Sequence, residues 1–579
     1  MTVAHPGYEG PPRRRWLTGG FWSLERAFER ARASDKAEDD TRIRIFFLLA
    51  LFAFAFASLA IGATRAAVFS GLDQGGGYRW ATAARADLVD RNGRMLAADL
   101  LHYGLYVDPT EVWEVEQTRR LLLTRVPEMS PARLDKVLRS GRRGFVFGGL
   151  NPTEKAKIYE LGLPGVSFEP EQRRIYPLGQ TAAHLIGFSD TGGEGLSGAE
   201  FALNQAVRGA KPGSTVPLSI DLRVQAALEE ELFKTAQIHS VKGAVGIVTN
   251  VHTGEVLGLA SWPTYDPNEP GRASADALTN RAGASVYEMG SIMKVFSVAM
   301  GLDSGTVNIG SVIDASSPLK MAGRSVRDYH AENRAMTVAD VFMHSSNIGT
   351  SRIALMAGAN TMLKYYKDFG LLEAAPIELR ESARPITPSK WDPNTLASAS
   401  FGHAISVTPL AVAAGMGAVL NGGTYVPLTI KPVADGERPR GRRVISEETS
   451  KAMLDLMRAN VVHGTGGKAN AEGLRVGGKT GSAEKPGRGG YQRDKLVASF
   501  AAVFPADGPL EADRYFVLIM MDEPKGTKET FGFATGGWTA APTAGRVIDR
   551  IGPVLGVQRV SDLAEPDLVA AGKLAGAER

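Results

Sequence analysis

Hydrophobic and polar positions divide this chain into three stretches of different character. From Ile45 to Ala63 runs an uncharged apolar segment, about the ~20 residues a helix needs to cross a ~30 Å hydrocarbon core. It predicts one transmembrane helix over 45–63. Residues 64–235 lack long apolar runs and mix short strand-like pieces with Gly and Pro punctuation, whereas 236–556 carries strong strands and strong helices. In the latter, Gly243–Asn250 and Glu255–Ser261 flank Val251-His252-Thr253-Gly254, a pair of apolar strands joined by a Gly-containing turn. Further strand-like runs cover 475–484, 496–504 and 515–521, and a helical pattern follows from Trp538 to Leu555. Five strands contributed by both ends of one region predict a largely antiparallel sheet with the intervening helices packed on it, an α+β layered fold. The expected organisation is a tail over 1–44, the span 45–63, one domain over 64–235, a second over 236–556 and a tail over 557–579.

Charge orients this plan. Arg30, Arg32, Lys36, Arg42 and Arg44 precede the apolar segment, and the first cations after it are Arg65 and Arg79, so the positive-inside rule places 1–44 in the cytoplasm and both domains outside. A cleaved export signal is the alternative, but the leader is long and the apolar segment exceeds the usual ~7–15 residue signal core. Trp16–Ala33 is amphipathic and reads as a solvated helix or one lying on the membrane surface. With 579 residues, 44% of them hydrophobic, the chain can build two or three cores. A formal charge of only +4 with scattered Lys and Arg gives nucleic-acid binding no support. Cysteine is absent, which removes disulfides and thiolate chemistry. The nine histidines form no His-Glu-x-x-His pair, so no catalytic zinc is expected. Nothing in the sequence calls for a cofactor.

The chemistry lies in three short patterns: Ser291-Ile-Met-Lys294, Ser345-Ser346-Asn347 and Lys479-Thr480-Gly481. Ser291 opens a run with helical apolar spacing, where free backbone N–H groups and the helix dipole favour negative charge. Lys294, three residues on, emerges on the same face. It can act as a base only if its pKa falls from about 10.4, through burial or a neighbouring cation such as Lys479. Ser345 is placed to relay a proton between Lys294 and a leaving amine, and Asn347 to hold both the substrate amide and the lysine. Lys479 with the hydroxyls of Thr480 and Ser482 offers a cation and two donors to a substrate carboxylate, and Gly481 lets the substrate backbone approach. The backbone N–H groups of Ser291 and Ser482 would form an oxyanion hole. The reaction class is acyl transfer through a serine ester.

Two other readings compete. Ser317-Pro-Leu-Lys320 repeats the Ser-x-x-Lys spacing but lacks an amphipathic helix and reads as loop. Gly473-Leu-Arg-Val-Gly-Gly-Lys479-Thr480 fits a phosphate-loop pattern, with Phe516–Glu523 as the apolar strand ending in an acid. Such a loop needs a helix starting at the Lys-Thr, and Gly481, Pro486, Gly487, Gly489 and Gly490 forbid one.

With these residues in place, the chain resembles the class B penicillin-binding proteins, membrane-anchored peptidoglycan D,D-transpeptidases, over nearly all of 44–556. The likeness also rests on Arg85-Ala-Asp-Leu-Val-Asp90-Arg-Asn-Gly93 with Leu96-Ala97, Arg174-Ile-Tyr-Pro177, Ala183-His184-Leu-Ile-Gly187, Ser261–Asn268, Asn280-Arg281 and Thr408-Pro-Leu410. It implies a non-catalytic pedestal over 64–235 and a transpeptidase domain over 236–556. Ser291 would attack the D-Ala-D-Ala end of a stem peptide of nascent peptidoglycan, and β-lactams would acylate the same serine. The long leader and compact pedestal look more like the septal, division-specific kind than the elongation kind. This implies an inner-membrane, single-pass protein with its catalytic domain in the periplasm, working with a multi-spanning glycan polymerase and other division proteins. No glycosyltransferase motif occurs in 64–235. Departures from the family pattern are Ala86 for Gly, Met289 for Pro, Ser482 for Thr and His403-Ala404 for Gln-Gly. A D,D-carboxypeptidase, a serine β-lactamase, a β-lactam sensor and an inactive division scaffold share enough of the pattern to stand as alternatives.

Overall fold

The computed structural model describes residues 48–60, 85–211, 213–487 and 490–560. It divides into two compact units, Met1–Ala81 and Thr82–Arg579. In the first, residues 48–60 form a helix with exposed apolar side chains, Phe54 among them. Among the described residues no helix is long and apolar enough to cross a membrane. The flanks of the expected span 45–63 lie outside the described residues, as do the 1–44 tail with Trp16–Ala33 and nearly all of the 557–579 tail.

The second unit starts with a small mixed sheet. Its long strand Met95–Val107 pairs antiparallel with Val166–Ile175, Gly144–Leu150 and Asp87–Val89, and the last of these runs parallel to Thr215–Pro217. Helices Val115–Arg125, Pro131–Leu138 and Pro152–Tyr159 contribute Leu122, Leu134 and Ile158 to a core shared with Leu105 and Val146. Asn151 and Glu154 close a capping box ahead of Pro152, which fixes where that helix starts. Two arginines of the motif blocks are buried here. Arg85 meets Glu200 at 2.5 Å, and Arg174 meets Glu200 at 2.6 Å and Asp99 at 3.2 Å. Charges this deep persist because each has an opposite partner.

Asp90 joins this sheet to the helix Leu222–Ile238. One carboxylate oxygen accepts the N–H groups of Asn92 and Arg94, both at 2.8 Å, around a turn that Gly93 allows at φ 79°. The other accepts the N–H of Leu222 at 3.1 Å, while Asn92 donates to Asp221, the N-cap of that helix. Two carboxylates thus sit at one helix N-terminus, where the dipole favours them. The helix packs on the large sheet, its Val224, Leu228 and Leu232 sharing a core with Val248 and Ile519. A division at 235/236 falls inside it, because the Gly and Pro signals that suggest a boundary end earlier, at Pro217.

The large sheet is antiparallel throughout, in the order 477–487, 490–504, 515–522, 243–250, 256–262. Both the hairpin and the three later strands expected from sequence are present. Strand Tyr515–Asp522 is buried along its whole length. Phe516, Leu518 and Met520 face one core while Tyr515, Val517, Ile519 and Met521 face another, the period-2 signature of a strand covered on both sides. Helices Leu222–Ile238 and Ala540–Val554 join the second core; Lys294–Asp303, Pro409–Leu420 and Glu447–Val462 contribute most of their buried apolar side chains to the first. The Ser317–Lys320 copy, expected as loop, contributes to a short hairpin of Leu319–Met321 with Arg324–Val326, and Lys320 is exposed.

Candidate active site

Ser291 lies in a 3-10 turn, Gly290–Met293, that runs directly into helix Lys294–Asp303. The sequence suggests an α-helical first turn; the tighter turn brings residues three apart into line and keeps Ser291 and Lys294 on one side. Gly290 sits at φ 56° and donates to the Gly402 carbonyl at 3.2 Å. A Cβ on Gly402 would come within 2.1 Å of the Gly290 oxygen, so the turn is seated against bare backbone. Ser291 is half-buried, and its hydroxyl makes no hydrogen bond among the described residues.

Lys294 and Lys479 converge on one hydroxyl. Lys294 Nζ lies 3.0 Å from Ser345 Oγ and also donates to the Ser345 carbonyl, while Lys479 Nζ lies 2.9 Å from the same Oγ. Both lysines are fully buried. Burial drives Lys294 well below its ordinary pKa, and the Lys479 cation pushes the same way against the opposing pull of Asp328. Burial brings Lys479 down to about 7. A neutral, buried amine next to a hydroxyl is what a lysine base requires. Ser345 itself is held at φ 55°, a left-handed conformation that costs a non-glycine residue about 1 kcal/mol or more.

The segment that holds Ser345 is not legible in the sequence. Asp328 accepts from Ser346 Oγ at 2.7 Å and from the Ile348 N–H at 2.9 Å. Ser346, not Ser345 or Asn347, is the N-cap of helix Asn347–Asp368 and accepts from Gly349 N–H at 2.9 Å. Asn347 is therefore the first helical residue, and its amide donates to the Arg327 carbonyl at 3.0 Å. Among the described residues no hydrogen bond joins Asn347 to Lys294.

Strand Gly477–Gly487 carries the third pattern. No helix begins at Thr480, which removes the phosphate-loop reading. Lys479, Gly481 and Ala483 are buried, whereas Thr480 is half-buried and Ser482 exposed. Thr480 Oγ1 lies 2.9 Å from Thr465 Oγ1, and Ser482 Oγ accepts from Gly536 N–H at 3.0 Å, which leaves the Ser482 proton available to an acceptor. A Cβ on Gly481 would meet Ser499 Oγ at 2.4 Å, the Met289 carbonyl at 2.7 Å and Ile292 Cγ1 at 3.0 Å. The missing side chain makes room for the Ser291 turn, so Gly481 is a packing requirement of this junction. The strand and the turn also approach one another beside Ser291: a Cβ on Gly290 would lie 3.0 Å from the Ser482 carbonyl oxygen. Thr465 and Gly536 carry no motif and reach the site only through the fold.

Glu288 borders this turn. It accepts from the Ala404 N–H at 2.8 Å and from Tyr491 Oη at 3.1 Å, and burial raises its pKa. Among the described residues no group of His, Asp or Glu is placed to hold a metal ion.

The chain matches two family models, the penicillin binding protein transpeptidase domain over residues 244–548 and the penicillin-binding protein dimerisation domain over 81–209. It is 55% identical to the probable peptidoglycan D,D-transpeptidase FtsI of Caulobacter vibrioides across 96% of each chain. It is 29% identical to the peptidoglycan D,D-transpeptidase FtsI of Escherichia coli, covering 84% of this chain and 85% of that one. Among solved structures it resembles penicillin-binding protein 3 of Mycobacterium tuberculosis complexed with aztreonam, with a TM-score of 0.64 and 25% identity over 83% of this chain and 98% of that one.

Proposed function

The chain belongs to the class B penicillin-binding protein transpeptidases, and we propose from that premise how its geometry cross-links septal peptidoglycan. Lys294 takes the Ser291 hydroxyl proton as Oγ attacks the carbonyl carbon between the two terminal D-alanines of a stem peptide. The tetrahedral oxyanion rests on the backbone N–H groups of Ser291 and Ser482. Collapse breaks the C–N bond. Ser345, touching both lysines, passes the proton to the departing D-alanine nitrogen, leaving an ester on Ser291. An amine of a neighbouring strand then attacks the ester, gives up a proton along the same route and restores the serine. Lys479, with Thr480 and Ser482, holds the terminal carboxylate, and Asn347 lines the substrate channel beside Ser345. β-Lactams follow the first half of this path and remain attached.

The observation that carries this reading is the single Ser345 hydroxyl within 3.0 Å of two buried lysines, one from the helix that begins after Ser291 and one from the edge strand. The finer assignment has two supports: the apolar run and its flanking charges for 1–44 cytoplasmic, 45–63 spanning and the catalytic domain outside, and resemblance for the inner membrane, the periplasm, and a multi-spanning glycan polymerase with other division proteins as partners. Intact-protein mass spectrometry of the full chain in detergent, after incubation with benzylpenicillin, tests the chemistry. A lasting penicilloyl adduct is expected on the wild type and not on Ser291→Ala. Hydrolysed drug without an adduct would point to a β-lactamase, and untouched drug would remove the acyl-transfer reading.

A further inference from the structure

The Ser345 turn has two properties that its own sequence does not explain: it is held in a left-handed conformation, and it places one hydroxyl between two buried amines. Strain of this kind persists only where neighbouring contacts over-determine it. Here they come from the segment 327–328, which lies just after the small hairpin 319–326 and belongs to none of the three motifs. Asp328 accepts from the residue after Ser345 through the Ser346 hydroxyl at 2.7 Å and from the residue after Asn347 through the Ile348 N–H at 2.9 Å. The Arg327 carbonyl accepts the Asn347 amide at 3.0 Å. Three hydrogen bonds to two consecutive residues fix the turn from one side, while Lys294 and Lys479 meet it from the other.

We propose that Asp328 is a positioning residue of the acylation site: its carboxylate clamps the Ser345–Asn347 turn and supplies a negative charge that acts on the buried Lys294. This rests on the acyl-transfer reading above. The electrostatics of the site point the same way. The charged groups acting on buried Lys294 are the Lys479 cation, from strand Gly477–Gly487, and Asp328, from the segment 327–328, and they act with opposite signs. Without a carboxylate nearby, Lys294 would lose its proton at still lower pH. Asp328 therefore opposes burial and Lys479, and raises the pH at which Lys294 becomes a free base. Its two tasks can be separated because an asparagine reproduces the shape: Oδ1 can accept the Ile348 N–H and the amide can donate to Ser346 Oγ.

The test measures the rate of penicilloyl adduct formation against pH on the full chain with benzylpenicillin, for wild type, Asp328→Asn, Asp328→Ala and Ser346→Ala, with thermal unfolding recorded for each. Asp328→Asn is expected to keep the fold, acylate within about threefold of wild type at its optimum, and move the acid limb of the profile to lower pH. Asp328→Ala loses the clamp and is expected to slow acylation on the order of tenfold or more, as befits lost hydrogen bonds to a charged acceptor. Ser346→Ala cuts the clamp at one atom and keeps the charge, so it should slow acylation without moving the limb. An Asn variant whose profile superimposes on wild type overturns the charge assignment. An Ala variant that acylates at the wild-type rate overturns the clamp, as does Ser346→Ala at full rate should the Asp328 variants not fold. If wild type itself forms no adduct, the failure lies with acyl transfer and not with Asp328.

Discussion

Replacing Gly481 by alanine tests whether the edge strand sets the position of the nucleophile. The strand backbone there has ordinary extended geometry, so alanine carries no conformational penalty. The cost comes from space: the new Cβ would lie 2.7 Å from the Met289 carbonyl, two residues before Ser291, and 2.4 Å from Ser499 Oγ. The Ser499 hydroxyl can rotate away, but a backbone carbonyl cannot. Restoring normal separation moves the strand and the Ser291 turn apart by roughly half to one ångström. Overpacking of this kind costs about 1–3 kcal/mol of stability. A displacement near 1 Å at reacting atoms costs up to about 100-fold in rate. The expected result is a 10- to 100-fold slower acylation by benzylpenicillin, on the order of the misplacement estimate, with a lowered melting transition. Gly271→Ala, where nothing lies within 4 Å, is the matched control and should change neither. Wild-type acylation by Gly481→Ala would refute the packing role. Lost stability with an unchanged rate would show that the strain escapes away from Ser291.

Other outcomes rest on the same geometry. Lys479 is held down to about 7 by burial, against about 10.4 in an unfolded chain. Between these values the unfolded state holds the extra proton, so this group's contribution to stability rises with pH from about 7 to about 10. Lys479→Met should flatten that rise in denaturation midpoints measured across the window, and an unchanged slope would contradict the burial. Glu200→Gln leaves Arg85 and Arg174 without their shared charge partner in a site with no exposure; a loss of about 3–5 kcal/mol is expected, read by chemical denaturation, with Ser291 still acylated in the folded fraction. Ser482→Ala removes the acceptor for Gly536 and, on the proposed function, a donor to the substrate carboxylate, and should weaken benzylpenicillin acylation about tenfold, whereas Ser482→Thr should stay near wild type.

How much of the fold and the site is legible in the sequence depends on whether a signal is local. The hairpin at 243–262 and the strand stretches 496–504 and 515–521 follow from runs of apolar residues bounded by turn residues, and such runs carry their meaning within themselves. The Ser291–Lys294 pair follows from spacing along one turn, and the phosphate-loop rival fails on the local ban on a helix after Thr480. Asp328, Thr465 and Gly536 are invisible because their meaning comes from contacts across many intervening residues. The cap of the helix after Ser345 is hidden for a related reason. Ser345, Ser346 and Asn347 could each cap the following helix by propensity, and only the position of Asp328 selects Ser346. The packing role of Gly481 is hidden because a sequence shows that a side chain is missing but not what fills its place.

The sheet order has a consequence for how the chain must be built. Its hairpin 243–262 finds its other neighbour only when residues 515–522 arrive, and that closure spans most of the domain. A chain emerging N-terminus first therefore carries an unpaired strand edge, 243–250, through the synthesis of helices Lys294–Asp303, Pro409–Leu420 and Glu447–Val462, the kind of edge that recruits other chains. Contacts so distant in sequence also form slowly. Lys479 lies on the far side of the same sheet from that edge, so its strand is positioned through the intervening strands 490–504 and 515–522. Acylation by a β-lactam thus reports completed assembly of the sheet, and a chain cut between residues 482 and 515 would bear all three motifs and have no framework to bring them together.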